Sequence, residues 1–298
     1  MRGAGGGIVS TSNDPFMSLI ARAGTNRGRV DNAKRESLLP ASGPLPQPGD
    51  LRVWPAGPDA PPRPGSREVH LWSARLDGID AAAEAGCLDS AERARAQRFV
   101  RPRDAIRFRH ARWMCRAVLS RYLGLAPTDV RYVTGPRGRP ELETDEGTGL
   151  RFNTSRSGGF ALLAVTSVSP VGIDVERPRA MRDRLEIARM IFHPDEWQAI
   201  ASLTDGEAQA AAFYRCWTRK EAVGKGVGLG LGLAFDRFVV GVDAFERTRR
   251  VNLDPPHGPW TLMDVSTPPG IYGAVAVADA IRGVRAWSWQ PPSGSTSS

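Results

Sequence analysis

Cysteine is scarce in this chain: among 298 residues only Cys87, Cys115 and Cys216 occur. An odd number at wide spacing argues against a disulfide framework or a cysteine-ligated zinc cluster. Cys115 and Cys216 fall in helical patterns beside tryptophans, so the expectation is buried free thiols in a reducing cytoplasm. Histidine is equally thin. His70, His110, His193 and His257 are scattered with no His-Glu-x-x-His pattern, which leaves zinc hydrolysis unsupported. No apolar run reaches the roughly 18 residues of a membrane span. The start, Met1-Arg2-Gly3-Ala4-Gly5, has no long apolar segment behind its charge, so a secretory signal is not expected. The glycines from Gly224 to Gly232 also fail the nucleotide-loop patterns. Arg219 stands where a Walker-type loop needs its first glycine and Gly226 where it needs serine or threonine, and no triplet has dinucleotide-loop spacing.

What is abundant is positive charge. A formal net charge of +8 and a pI near 10.1 favour an anionic partner, which could be nucleic acid, a phosphorylated cofactor or an acidic protein surface. Nine arginines crowd between Arg93 and Arg116, flanking a helix whose apolar positions Phe108, Ala111, Cys115, Val118 and Tyr122 recur at three- and four-residue spacing. That pattern predicts a basic helix face along Arg109, Arg112 and Arg116. An apolar content of 41% with 24% charge is that of a soluble globular protein, and the length suits about two domains.

The chain divides along its length. Residues 1–65 carry 10 glycines and 10 prolines and are expected to be a disordered extension. A first half, 66–169, opens with a strand at 69–73. A helix follows from Asp89 or Ser90 to Leu123, with a Gly124 stop, and then strands at 129–133 and 161–165. A second half, 170–290, repeats the order with a strand at Val171 and helices from about Arg184 and from about Asp205 to Lys225. Strands near 237–242, 260–265 and 271–276 follow, and 291–298 is a flexible tail.

Two short runs carry the chemistry. In Val171-Gly172-Ile173-Asp174-Val175-Glu176, strand alternation sends the three aliphatic side chains one way and puts Asp174 and Glu176 together on the other face. In Trp217-Thr218-Arg219-Lys220-Glu221-Ala222-Val223-Gly224-Lys225, Glu221 and Lys225 stand one helical turn apart on one face. Glu221 also lies in line with Phe213 and Trp217, a poor place for a merely solvated acid. If strand and helix pack together, three carboxylates meet beside a lysine. Magnesium takes carboxylate and phosphate oxygens and keeps several waters, so such a set suits a metal-bound diphosphate.

The two runs resemble the paired signatures of the 4'-phosphopantetheinyl transferase superfamily, in its long, two-halved surfactin-type branch. Gly138-Arg139-Pro140, Phe152-Asn153-Thr154-Ser155-Arg156-Ser157-Gly158 and the arginine-rich 92–124 resemble further elements of that family, in the expected order. The likeness spans about residues 70–285. It implies an α+β fold of two similar α/β halves in pseudo-twofold arrangement, with the active site in the cleft between them. It also implies the activity: transfer of 4'-phosphopantetheine from coenzyme A to a serine of an apo acyl or peptidyl carrier protein, giving holo carrier and adenosine 3',5'-bisphosphate.

By the same resemblance, Asp174, Glu176 and Glu221 are expected to bind Mg2+, and Glu221 to act as base with Lys225 beside the diphosphate. Arg95, Arg107, Arg112, Arg139, Ser155 and Arg156 are expected to hold the adenosine and 3'-phosphate of coenzyme A. The family usually has histidine at position 156. Arginine keeps five donors and a permanent charge there but removes any proton-transfer role. A cytoplasmic monomer that engages neither nucleic acid nor membrane is implied. Two other readings fit the residues alone, a basic magnesium-dependent nuclease and a non-catalytic carrier-binding protein.

Overall fold

The computed structural model describes residues 54–292 except 81–83, 85, 136–137, 144–148 and 245–247. The first half contains strand β1 (Glu68–Arg75), helices α1 (Ser90–Ala96) and α2 (Pro102–Leu123), the short strands β2 (Tyr132–Thr134) and β3 (Pro140–Leu142), and strands β4 (Arg151–Ser157) and β5 (Phe160–Thr166). The second contains β6 (Val171–Glu176), helices α3 (Arg184–Ile191), α4 (Pro194–Ala201) and α5 (Gly206–Val227), and strands β7 (Thr248–Asn252), β8 (Pro259–Asp264), β9 (Tyr272–Val277) and β10 (Gly283–Ser288).

Local sequence sets the helix ends. Asp89 caps α1 by accepting from the Glu92 amide, while the Glu92 carboxylate returns to the Asp89 amide. Pro102 opens α2 and so splits the single arginine-rich helix expected from periodicity into two. Gly124 ends α2 in the left-handed conformation at φ 67°. Asp205 caps α5 by accepting from the amides of Glu207 and Ala208.

The two four-stranded sheets run β10-β1-β5-β4 and β6-β9-β8-β7, and β2 and β3 pair separately. In the first sheet β5 pairs antiparallel with β1 and β4, and in the second β9 pairs in the same way with β6 and β8. The sheets face each other across a core that includes Leu71, Leu162 and Ala164 from one and Val171, Ile173, Val175 and Val275 from the other. Helix α2 covers the outer face of the first sheet and α5 that of the second. Four layers, helix–sheet–sheet–helix, result, and β5 is buried along its whole length. Cys115 and Cys216 are buried and, with Cys87, unbridged.

Four expectations are corrected. Residues 54–65 are packed, not disordered: Trp54 is in the inter-sheet core, and the Gly57 amide donates to the Ser288 carbonyl. Residues 1–53 lie outside the described residues. Residues 237–242 form no strand, because buried side chains take up the backbone groups that a sheet would pair. Lys220 Nζ donates to the carbonyls of Phe235 and Phe238, and Glu196 accepts from the amides of Val240 and Gly241. Strand β10, not foreseen, returns to the first half and pairs in parallel with β1. The basic face of α2 is neutralised internally, since Arg109 pairs with Glu84, Arg112 with Glu92, and Arg116 with both Glu92 and Asp89.

Candidate active site

Strand β6 and helix α5 are in the closest contact their residues allow. A Cβ on Gly172 would collide with the Ala222 carbonyl and the Gly226 amide, and one on Gly226 with the Trp260 ring. The two glycines let helix backbone settle on strand backbone. That approach brings the second run onto the polar face of the first. Lys225 Nζ lies 2.6 Å from Asp174 Oδ1, and Asp174 is only 3% exposed. Glu221 is buried on the same side of α5, one turn before Lys225. As alternation predicts, Val171, Ile173 and Val175 turn to the other sheet.

The first half contributes through β4, whose edge runs alongside β6 without a backbone ladder between them. Side chains make the seam. Asn153 Oδ1 accepts from the Ile173 amide at 2.9 Å, Ser155 Oγ donates to Asp174 Oδ1 at 2.8 Å, and Ser157 Oγ donates to Glu176 Oε2 at 2.7 Å. Lys225 Nζ also reaches Ser155 Oγ at 3.0 Å. Ser155, expected near the adenosine end of coenzyme A, therefore belongs to the carboxylate–lysine group.

Arg156 points the other way from β4. Its guanidinium lies over the rings of Phe99 and Phe108, 5.5 and 5.7 Å from their centroids, and Arg95 stacks on Phe108 at 5.6 Å. Burial lowers the Arg156 pKa, Asp104 offsets part of that, and Arg95 and Arg107 lower it further. Arg107 is tied bidentately to Asp77, which Arg107 and then Arg103 hold well below the usual carboxylate range. Arg95 and Arg156 thus share the Phe108 ring, Arg107 stands near enough to act on the Arg156 charge, and among the described residues neither Arg95 nor Arg156 forms a salt bridge.

Two other expected ligands have inward duties. Arg112 is held against Glu92 and over the Tyr132 ring. Arg139 donates to the carbonyls of Lys225, Phe152 and Val171 at 2.7, 3.0 and 3.0 Å, which staples the end of α5 to β4 and β6. A cavity of about 270 Å³ opens beside Arg139, lined also by Phe152, Pro170 and Gly226, and none of the three acids lines it.

The acids perturb one another. Burial first, then the charge of Asp174, pushes Glu176 up to about 7. Burial pushes Glu221 up to about 8, with Asp174 and Glu176 adding to the effect and Lys225 opposing it. Burial alone would lower the Lys225 pKa, yet Asp174, Glu221 and Glu176 raise it. Asp174 Oδ2 and Glu221 Oε1 are buried without a hydrogen-bond partner. Among the described residues no three acids, histidines or cysteines form a ready-made metal cluster. The donors nonetheless fit a hard divalent ion. Such an ion takes few protein oxygens, completes its shell with water and phosphate, and would satisfy the two bare oxygens.

Sequence reasoning gave no role to Ser157, Lys220 or Glu196. Ser157 could have been found from its two-residue spacing to Ser155, which matches Asp174 to Glu176. Lys220 and Glu196 are 24 positions apart and gave no local signal.

The model of the 4'-phosphopantetheinyl transferase superfamily matches residues 170–267, and that of the 4'-phosphopantetheinyl transferase N-terminal region matches 71–168. The chain is 34% identical to the 4'-phosphopantetheinyl transferase HetI of Nostoc over 229 residues, which cover 76% of this chain and 91% of that protein. It is 31% identical to the 4'-phosphopantetheinyl transferase Sfp of Bacillus subtilis, over 63% of this chain and 80% of the relative. With the human L-aminoadipate-semialdehyde dehydrogenase-phosphopantetheinyl transferase it shares 30% identity over about half of each chain. The chain belongs to the 4'-phosphopantetheinyl transferase superfamily.

Proposed function

We propose that this enzyme moves 4'-phosphopantetheine from coenzyme A to a serine of an apo carrier protein. The observation that carries this reading is the acid face: Asp174, Glu221 and Lys225 meet where β6 and α5 touch, and two buried carboxylate oxygens there are bare. The 3'-phosphate of coenzyme A fits the cluster of Arg95, Arg107 and Arg156, whose guanidinium charge it would offset. Arg112 and Arg139 then act from behind, fixing α2 and the seam. Since β4 carries Arg156 on one face and Ser155 and Ser157 on the other, one strand links the nucleotide end to the reacting end.

Mg2+ is the ion this face suits; Asp174, Glu176 and Glu221 would hold it, and when bound it would supply charge neutralisation for the diphosphate. The chain's own residues do the rest. Glu221, which gives up its own proton once a cation is held beside it, is the base that accepts the proton of the carrier serine. The serine oxygen bonds to the β-phosphorus, the phosphorus–oxygen bond to the nucleotide breaks, and adenosine 3',5'-bisphosphate leaves with its new charge beside Lys225 Nζ. General-base assistance supplies on the order of a hundred- to ten-thousand-fold, so alignment and charge must supply most of the acceleration.

Incubation with apo carriers of the fatty-acid, polyketide, nonribosomal-peptide and lysine-pathway types, coenzyme A and Mg2+, followed by intact-mass measurement, tests the reading. One added phosphopantetheine arm on at least one carrier is expected. Cleavage of nucleic acid dependent on Asp174, with no carrier gaining mass, would replace the reading with a nuclease. Tight carrier binding without mass gain would replace it with a binding protein.

A further inference from the structure

Two serines two residues apart on β4 stand opposite two acids two residues apart on β6. Ser155 Oγ accepts from Lys225 Nζ and donates to Asp174 Oδ1. Ser157 Oγ accepts from the Arg177 amide at 3.0 Å and donates to Glu176 Oε2 at 2.7 Å. A serine hydroxyl has one proton, so once an N–H donor occupies its oxygen the proton is committed to the carboxylate. Both hydroxyls are therefore one-way relays from a fixed donor to an acid. The donor behind Ser157 is backbone, anchored just after the end of β6, and it cannot rotate away as a lysine can.

We propose that Ser157 is a positioning residue for the divalent-ion site. Its hydroxyl, oriented by the Arg177 amide, holds one oxygen of Glu176 and leaves the other for the ion. The Asp174 carboxylate shows the matching arrangement, with Oδ1 held by Ser155 and Lys225 and Oδ2 bare and buried. Ser155 is the poorer probe, because its loss would also disturb Lys225. Outer hydrogen-bond partners of this kind fix ligand orientation, and removing one lowers metal affinity by about 10- to 100-fold. The proposal rests on reading the acid face as the ion site, and its test separates the two.

The experiment titrates Mn2+ into the full-length protein with coenzyme A present and follows free and bound ion by electron paramagnetic resonance. Wild type, Ser157→Ala, Ser157→Thr and Asp174→Asn are compared, with thermal melting as a check on folding. Ser157→Ala is expected to bind Mn2+ about 10- to 100-fold more weakly at an unchanged fold. Ser157→Thr, which keeps the hydroxyl, is expected to stay near wild type. If Ser157→Ala does not fold, Ser157→Cys, a far weaker donor, takes its place. Equal affinity of wild type and Ser157→Ala, or a Ser157→Thr as weak as Ser157→Ala, overturns the proposal alone. Wild type that binds no Mn2+, or Asp174→Asn that binds as wild type does, overturns the acid-face reading and the proposal with it.

Discussion

In the proposed mechanism Glu221 joins the chain's stability to its activity. Its carboxyl, pushed to about 8 in the folded protein against an ordinary value of 4.5, prefers its proton when no cation is near. Glu176, pushed to about 7, behaves alike. The sign follows: the folded state binds more protons than the unfolded state between those limits. Stability from these groups is full below about pH 4.5 and is lost as pH rises through 7 and 8. In the metal-free protein Glu221→Gln is therefore expected to melt higher than wild type above about pH 8, with the gap closing near pH 5. Saturating Mg2+ should remove most of that gap, and melting curves across pH, with and without the ion, check both statements. The same variant is expected to lose nearly all transfer.

Arg156→Ala should instead raise the KM for coenzyme A more than it lowers kcat, by about 10-fold or more for a lost charged hydrogen bond, as read from steady-state kinetics. Asp174, Glu221 and Lys225 were legible because strand and helix periods place them on single faces. The contacts of Ser155 and Arg139 were not legible, because their partners, a carboxylate and three carbonyls, come from segments far away in sequence.

At the level of elements, the site depends on how closely α5 lies on β6. Gly172→Ala puts a methyl group where the Ala222 carbonyl and Gly226 amide already stand, and overpacking of this sort costs about 1–3 kcal/mol. Denaturant unfolding would measure it, and transfer should fall further than stability does, since the displaced helix carries Glu221 and Lys225. Lys220 works one position earlier on α5. Fully buried, it pairs with Glu196 and fastens residues 235–238, so Lys220→Met should destabilise the fold by about 3–5 kcal/mol through the carboxylate left unpaired. The expected strand at 237–242 failed for this reason: Phe238, Val240 and Val242 are buried in strand-like alternation with exposed Val239, but the backbone there is bonded to side chains of α4 and α5.

For the whole molecule, sequence order is a poor guide to which half an element joins. The halves were legible, because each opens with an apolar strand, continues with a long helix and closes with strands. Strand β10 was not legible, since it follows the second half yet pairs Glu68 with Gly283 across most of the chain. Removing residues from 283 onward is expected to lower the melting temperature and expose the β1 edge to self-association, which calorimetry and light scattering would show.

The most direct measurement is single-turnover transfer to an apo carrier at saturating coenzyme A and Mg2+, followed by intact mass, for wild type beside Asp174→Asn. The account predicts that wild type loads the carrier with one arm and that the variant, folded and still binding coenzyme A, leaves it unloaded. Equal loading by both proteins would contradict it.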